Sequence, residues 1–396
     1  MIERSKYLEK LKSFKDKKLI KVITGIRRCG KSTLLNIFQD YLLQNGVEKN
    51  QIIPINFENP EYEDLKDYKA LYKYIEKYLI PNKKNYIFLD EIQNVADYQK
   101  AVDGLYIKEN VDLYITGSNA YFLSGELATL LSGRYVEIEM LPLSFKEYLS
   151  ALPEKTDLPA KYRNYLVKSS FPYTLELDDE NQIRMYLDGI YNTVILKDVV
   201  ARKNISDVNI LESVVRYMFD NIGNITTCKK ISDSLTSSGR KISNHTVENY
   251  LSALTDSFIL YKVGRYDVKG KQYLQTNEKY YLVDIGLRYF LLGSKKADMG
   301  RILENIIYLE LLRRGYEVFI GKVGTLEVDF VAVKNGDIEY YQVAQTVQQP
   351  ETIERELKPL DSIKDHNPKY LLTLDVEPPT SHKGIKQIYA LDWLLE

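Results

Sequence analysis

The chain has 396 residues, 44% of them hydrophobic and 28% charged, which suits two to four domains with real cores and excludes a disordered or fibrous protein. Acids and bases nearly cancel, for a formal net charge of -1, so bulk charge does not drive the chain onto nucleic acid and any such surface must be a local patch. Two distant cysteines, three histidines, no apolar run near ~20 residues and an opening M-I-E-R-S-K-Y-L-E-K without an apolar core argue against disulfides, structural zinc, a membrane partner and a signal peptide, leaving the cytoplasm as the expected location.

Lys18–Thr24, K-L-I-K-V-I-T, reads as a short strand leading into G-I-R-R-C-G-K-S-T. After Lys31 the spacing of Leu34, Leu35, Phe38 and Leu42 predicts an amphipathic helix. Strand, G-x-x-x-x-G-K-S and helix is the context of a phosphate-binding loop. Gly25 and Gly30 free the backbone so that the amides of Ile26, Arg27, Arg28, Cys29, Gly30, Lys31, Ser32 and Thr33 can approach phosphate. The helix N-terminus adds positive dipole, Lys31 reaches the β- and γ-phosphates, and the Ser32 hydroxyl coordinates Mg²⁺. The expected ligands are ATP, or a close relative, and Mg²⁺.

Ile52–Pro60 reads as a second strand, with Asn56 at its end placed to restrain a catalytic acid. In Asn85–Glu91, N-Y-I-F-L-D-E, Tyr86 to Leu89 are apolar throughout before two acids, as a strand buried on both faces requires. Asp90 is the expected metal-side carboxylate and Glu91 the general base that polarises water. Val111–Ala120 is another buried strand, ending in T-G-S-N-A, where Ser118 or Asn119 can sense the γ-phosphate or simply cap a helix. Arg134, just past the strand that carries Ser118, is placed as an arginine finger in cis or into a neighbouring subunit, or as an ordinary surface ion-pair partner.

G-I-R-R-C-G-K-S-T, F-L-D-E-I-Q, I-T-G-S-N-A, S-G-R and L-P-L-S-F-K-E-Y-L together resemble the motif set of prokaryotic AAA+-type ATPases that carry a winged-helix region and a C-terminal PD-(D/E)XK nuclease-like domain. The resemblance spans nearly the whole chain. It implies an α/β fold: a P-loop NTPase parallel sheet core, then a winged helix, then an α/β restriction-endonuclease-like domain. We expect boundaries at 1–150 for the ATPase core, 151–205 for a helical lid or linker, 206–299 for the winged helix and 300–396 for the nuclease-like part.

Arg184–Lys203 reads as a helix with Met185, Ile190, Val194, Leu196 and Val199 as apolar contacts, and with Lys197 and Arg202 on a solvated or nucleotide-facing side. From Asn209, three helical segments precede two short strands, the winged-helix order. The third, capped by Ser243 or Asn244, would present Asn244, His245, Thr246 and Asn249 to a DNA groove. Arg240, Lys241, Lys269 and Lys271 would lie nearby for phosphate. Glu248 and Asp256 make this helix no more basic than an ordinary surface, and protein docking is the competing use.

Arg301–Gly315 is an amphipathic helix with a glycine stop, followed by three strands. This order resembles the PD-(D/E)XK fold, which needs a helix acid, a strand aspartate and E/Q-x-K for metal and water chemistry. Glu304, Asp329 and Gln342 fill the acid and polar places, but Ala344 stands in the lysine place. Lys322 and Lys334 lie on other segments. The expectation is a degenerate site on a fold kept for DNA, for a protein partner or for homo-oligomer assembly. Three functions follow in order: an ATPase that moves a DNA-binding appendage, an NTP-dependent protein-interaction switch, and an ATP-dependent nuclease.

Overall fold

The structure, a computed structural model, describes residues 2–118, 131–154, 156–193, 199–200, 205, 207–293 and 298–396. The expectations placed on Asn119, Val194, Leu196, Lys197 and Arg202 lie outside the described residues. The chain divides into two compact units, Met1–Pro142 with Asp256–Phe258, and Leu143–Thr255 with Ile259–Glu396.

The first unit is an α/β layer structure: α1 (Ser5–Ser13), β1 (Ile20–Thr24), α2 (Lys31–Gln44), β2 (Ile52–Asn56), α3 (Tyr68–Tyr78), β3 (Asn85–Asp90), α4 (Tyr98–Ile107), β4 (Val111–Thr116) and β5 (Tyr135–Glu139). Its sheet runs β2-β3-β4-β1-β5, with every pair parallel. β1, β3 and β4 are buried at all positions, which explains their continuous apolar runs. The exception is an ion pair, Lys21 with Asp112, whose carboxylate also accepts from the Tyr114 hydroxyl at 2.9 Å. Helix α2 buries the Leu34, Leu35, Phe38 and Leu42 stripe read from the sequence.

Register fixes the site. Ile23 lies opposite Thr116, and Leu89 opposite Ile115, so Thr24, Asp90 and Thr116 end at one sheet edge. On the other flank Ile20 lies opposite Tyr135, and the Ile20 amide donates to the Arg134 carbonyl. Arg134 therefore stands at the opposite, amino-terminal edge of the strands.

The second unit begins with α5 (Phe145–Ser150), held by a capping box between Ser144 and Glu147, then α6 (Leu158–Lys168) and α7 (Glu180–Ile190). Three helices follow: α8 (Val208–Asp220), α9 (Cys228–Ser237) and α10 (Asn244–Asp256). Next come β6 (Leu260–Asp267), β7 (Gln272–Leu282), α11 (Ile285–Leu292), α12 (Met299–Arg313), β8 (Glu317–Val323), β9 (Leu326–Lys334), β10 (Asp337–Ala344), α13 (Pro350–Asp361), β11 (Lys369–Thr373), β12 (Thr380–His382) and β13 (Ile385–Tyr389). The mixed sheet runs β12-β13-β11-β10-β9-β8-β6-β7. The hairpin read as a wing is thus not free-standing: β6 pairs in parallel with β8, Arg265 opposite Ile320. The β6–β7 hairpin and the strands of the C-terminal third share one sheet. Among the described residues, no helix is long and apolar enough to cross a membrane.

Candidate nucleotide-binding site

The loop after β1 is shaped by its glycines. Gly25 has φ 136° and Gly30 φ 106°, the region that favours glycine. A Cβ on Gly25 would stand 2.1 Å from the Met140 carbonyl oxygen, so the loop packs directly on the chain leaving β5. Met140 returns a backbone bond to Thr24 at 2.8 Å. From outside the motif, the buried Arg4 guanidinium donates to the Cys29 carbonyl at 2.9 Å and to the Leu141 carbonyl at 2.5 Å. Arg4 was not read as functional, because a single basic residue before a helix carries no signal.

Within the loop, Ile26 and Cys29 are fully buried, and burial pushes the Cys29 thiol up from its ordinary value, keeping it neutral. Arg28 is exposed at φ 69°, and Arg27 pairs with Glu58. Ser32 and Thr33 are exposed on the first turn of α2. Lys31 is 4% exposed and folds back on its own loop: Nζ donates to the Gly25 carbonyl at 3.0 Å and to Ile26 at 3.3 Å. A lysine encircled by loop carbonyls beside left-handed glycines fits a phosphate cradle, since phosphate oxygens can replace those carbonyls around the ammonium.

Asp90 and Glu91 meet this loop from the end of β3. Asp90 accepts from the Thr116 hydroxyl at 2.6 Å, from Asn56 Nδ2 at 3.1 Å and from the Ser32 hydroxyl. Burial raises its pKa, against the lowering effect of the Ser32 and Thr116 bonds. The predicted metal pair, Ser32 and Asp90, is thus in hydrogen-bond contact.

Glu91 sits at φ 54°, ψ 47°, with its amide donating to the Thr116 hydroxyl at 2.8 Å. One carboxylate oxygen is 3.6 Å from Lys31 Nζ, and the other accepts from Gln93 Nε2. Gln93 also donates to Ser118 Oγ at 3.3 Å. The contact with Glu91 expected of Asn56 is made by Gln93. Asn56 lies opposite Asp90 in the β2–β3 register, so it faces Asp90, and the next residue turns away. Lys31, Ser32, Asp90, Glu91 and Ser118 are brought together. Arg134 is not: it pairs with Asp103 at the far edge, and β1 alone spans ~16 Å at ~3.3 Å per residue.

In the second unit, Asn244, His245 and Asn249 are exposed on α10, with Asn249 Nδ2 3.3 Å from His245 Nε2, and Thr246 is half-buried. Glu248 is exposed among them. Arg240 reaches the Asn209 carbonyl at 3.2 Å. Glu304 on α12, Asp329 on β9 and Gln342 on β10 do converge: the Asp329 amide donates to Gln342 Oε1 at 3.3 Å, and the Val343 amide donates to Asp329 at 2.8 Å. Lys334 is spent on the Arg314 carbonyl at 2.7 Å. The lysine in this cluster is Lys279 of β7, which the sequence reading missed.

Comparison with known proteins agrees with the geometry of the first unit. Residues 17–149 match an AAA domain, and residues 159–298 match a domain of unknown function (DUF8612). An uncharacterized protein of Haemophilus influenzae is 45% identical over 100% of this chain and 99% of its own length. A second, from Methanocaldococcus jannaschii, is 35% identical over 87% of this chain and 79% of its own. A Walker-type ATPase of Pyrococcus abyssi has the same fold at 15% identity, with a TM-score of 0.50 over 74% of this chain and 96% of that one. A phosphate-loop sheet, an AAA-domain match and full-length kinship agree: the chain belongs to the AAA-domain protein family represented by the Haemophilus influenzae and Methanocaldococcus jannaschii proteins.

Proposed function

We propose that this chain hydrolyses ATP with Mg²⁺, and that the described arrangement is its restrained form. The observation that carries this is the double occupation of Glu91: Lys31 holds one carboxylate oxygen and Gln93 the other. A general base must keep an oxygen free for the proton of water. ATP phosphates draw Lys31 away through charge-assisted bonds. Ser32, and Asp90 through water, would hold Mg²⁺, which would supply charge neutralisation at the phosphates. Gln93 is then the remaining restraint, and because it also bonds Ser118, a group at the phosphate end of β4 can report on it.

Replacing Gln93 by Ala is expected to raise basal turnover several-fold with KM nearly unchanged, because it frees the base without touching the phosphate loop. Steady-state ATPase rates would show it. A fall in kcat would instead make Gln93 a positioner of Glu91 for catalysis.

The cycle is proposed to act on DNA through α10. Its exposed Asn244, His245 and Asn249 are base-edge donors and acceptors, with Lys241, Lys269 and Lys271 exposed for phosphate. Glu248 on the same face favours a second reading, docking of a protein partner. Turnover with and without duplex DNA separates the two. Stimulation that falls steeply between ~50 and ~200 mM salt supports DNA. No stimulation and no salt-dependent binding leave the protein-switch reading. Cleavage is disfavoured because β10 ends in Ala344 and not lysine, and the lysine of the cluster, Lys279, is held by Glu304 and Glu327.

A further inference from the structure

Three carboxylates meet where β7, α12 and β9 come together, and a lysine stands among them. Lys279 Nζ is 3.0 Å from Glu304 Oε1, 2.9 Å from Glu327 Oε1 and 3.9 Å from Asp329 Oδ1. Its residue is 4% exposed. The carboxylates are further supplied: the Tyr281 hydroxyl donates to Glu304, the Val343 amide to Asp329, and Arg265 lies 3.9 Å from Glu327. Gly223 closes the far side of Glu304, where a Cβ would sit 3.3 Å from Oε2.

Three carboxyl groups, Glu304, Glu327 and Asp329, face two cations, Lys279 and Arg265. Without Lys279 the crowded carboxyl groups would face one another at a cost that only protonation or a cation could offset. An ammonium offers three N–H donors at hydrogen-bonding distance. A divalent ion would demand the same oxygens at ~2.0–2.6 Å. The two occupants exclude each other.

We propose that Lys279 is a built-in cation: its ammonium holds the place between Glu304, Glu327 and Asp329 that a divalent metal would take, and makes the cluster a metal-free joint between the β6–β7 hairpin and the C-terminal helix and strands. Burial lowers the Lys279 pKa, but the three carboxylates outweigh it and hold the group above the ordinary lysine value. This reading is independent of the ATPase assignment.

The test is a Mn²⁺ titration of the full chain without nucleotide, read by the free-ion electron paramagnetic resonance signal. Wild type and Asp329→Asn should give the same curve. Lys279→Met should gain about one Mn²⁺ per chain, by simple replacement of one cation by another, and lose it again in the double variant with Asp329→Asn. Thermal unfolding gives a second readout: Lys279→Met should melt lower than wild type in chelator and recover with Mn²⁺, while wild type does not respond. A wild-type Mn²⁺ site abolished by Asp329→Asn overturns the proposal, as does a folded Lys279→Met that gains no ion. If Lys279→Met does not fold, Lys279→Gln replaces it, and the wild-type and Asp329→Asn curves decide on their own.

Discussion

Glu91→Gln is expected to lower kcat for ATP hydrolysis by about 10²- to 10⁴-fold, the contribution of a positioned general base, while nucleotide binding persists. The amide is isosteric and can still accept from Lys31, 3.6 Å away in the unsubstituted chain. It cannot take a proton from water. The phosphate contacts are elsewhere, in Lys31 and the loop amides, so KM should move by no more than a few-fold. The measurement is steady-state turnover alongside binding of a fluorescent nucleotide. Turnover at the wild-type rate would remove Glu91 from the chemistry. Loss of binding with no folded protein would point instead to the loss of the carboxylate's contacts with Lys31 and Gln93.

The contrast between Glu91 and its neighbours shows how far the residues alone could be read. β1, β3 and β4 were legible because parallel strands buried on both faces need unbroken apolar runs. The loop was legible because its glycines and Lys31 answer one chemical demand. Those strands also carried Asp90, Glu91 and Ser118 to the same edge, a consequence of parallel register. What pairs with what across that edge was not legible. Asn56 and Gln93 are both amides within reach of β3, and only the register, with Asn56 opposite Asp90, assigns them. In the second unit the error was one of partition. β6 and β7 read as a hairpin in their own right, and no local pattern marks the free edge of β6 as the partner of β8. The same partition hid Lys279. It stands 25 positions before Glu304, on a strand that the order of elements places in another module, whereas the E/Q-x-K pattern points to β10, where Ala344 stands.

Arg134 carries the other large effect, and its place in the sheet fixes how it must act. It precedes β5, and β5 lies beside β1 with Tyr135 opposite Ile20, the first residue of the strand whose last residue leads into the phosphate loop. The length of β1 separates the guanidinium from its own loop, beyond the reach of an arginine side chain. Action within one chain is therefore excluded in this arrangement, and the open alternative is delivery to a neighbouring copy. The side chain is 44% exposed and its partner Asp103 34% exposed, so the ion pair lies at a surface and is worth little in isolation. Arg134→Ala should then leave stability nearly unchanged but cut turnover by ~10³-fold or more, the scale of an arginine finger. A head-to-tail assembly adds a sharper expectation. Arg134→Ala chains keep Glu91, and Glu91→Gln chains keep Arg134. When the two inactive proteins are mixed in equal amounts, about one site in four joins an intact base to a neighbour's intact arginine, and turnover should reappear. A mixture as inactive as its parts, or an Arg134→Ala protein as fast as wild type, would return Arg134 to the role of a surface ion-pair partner.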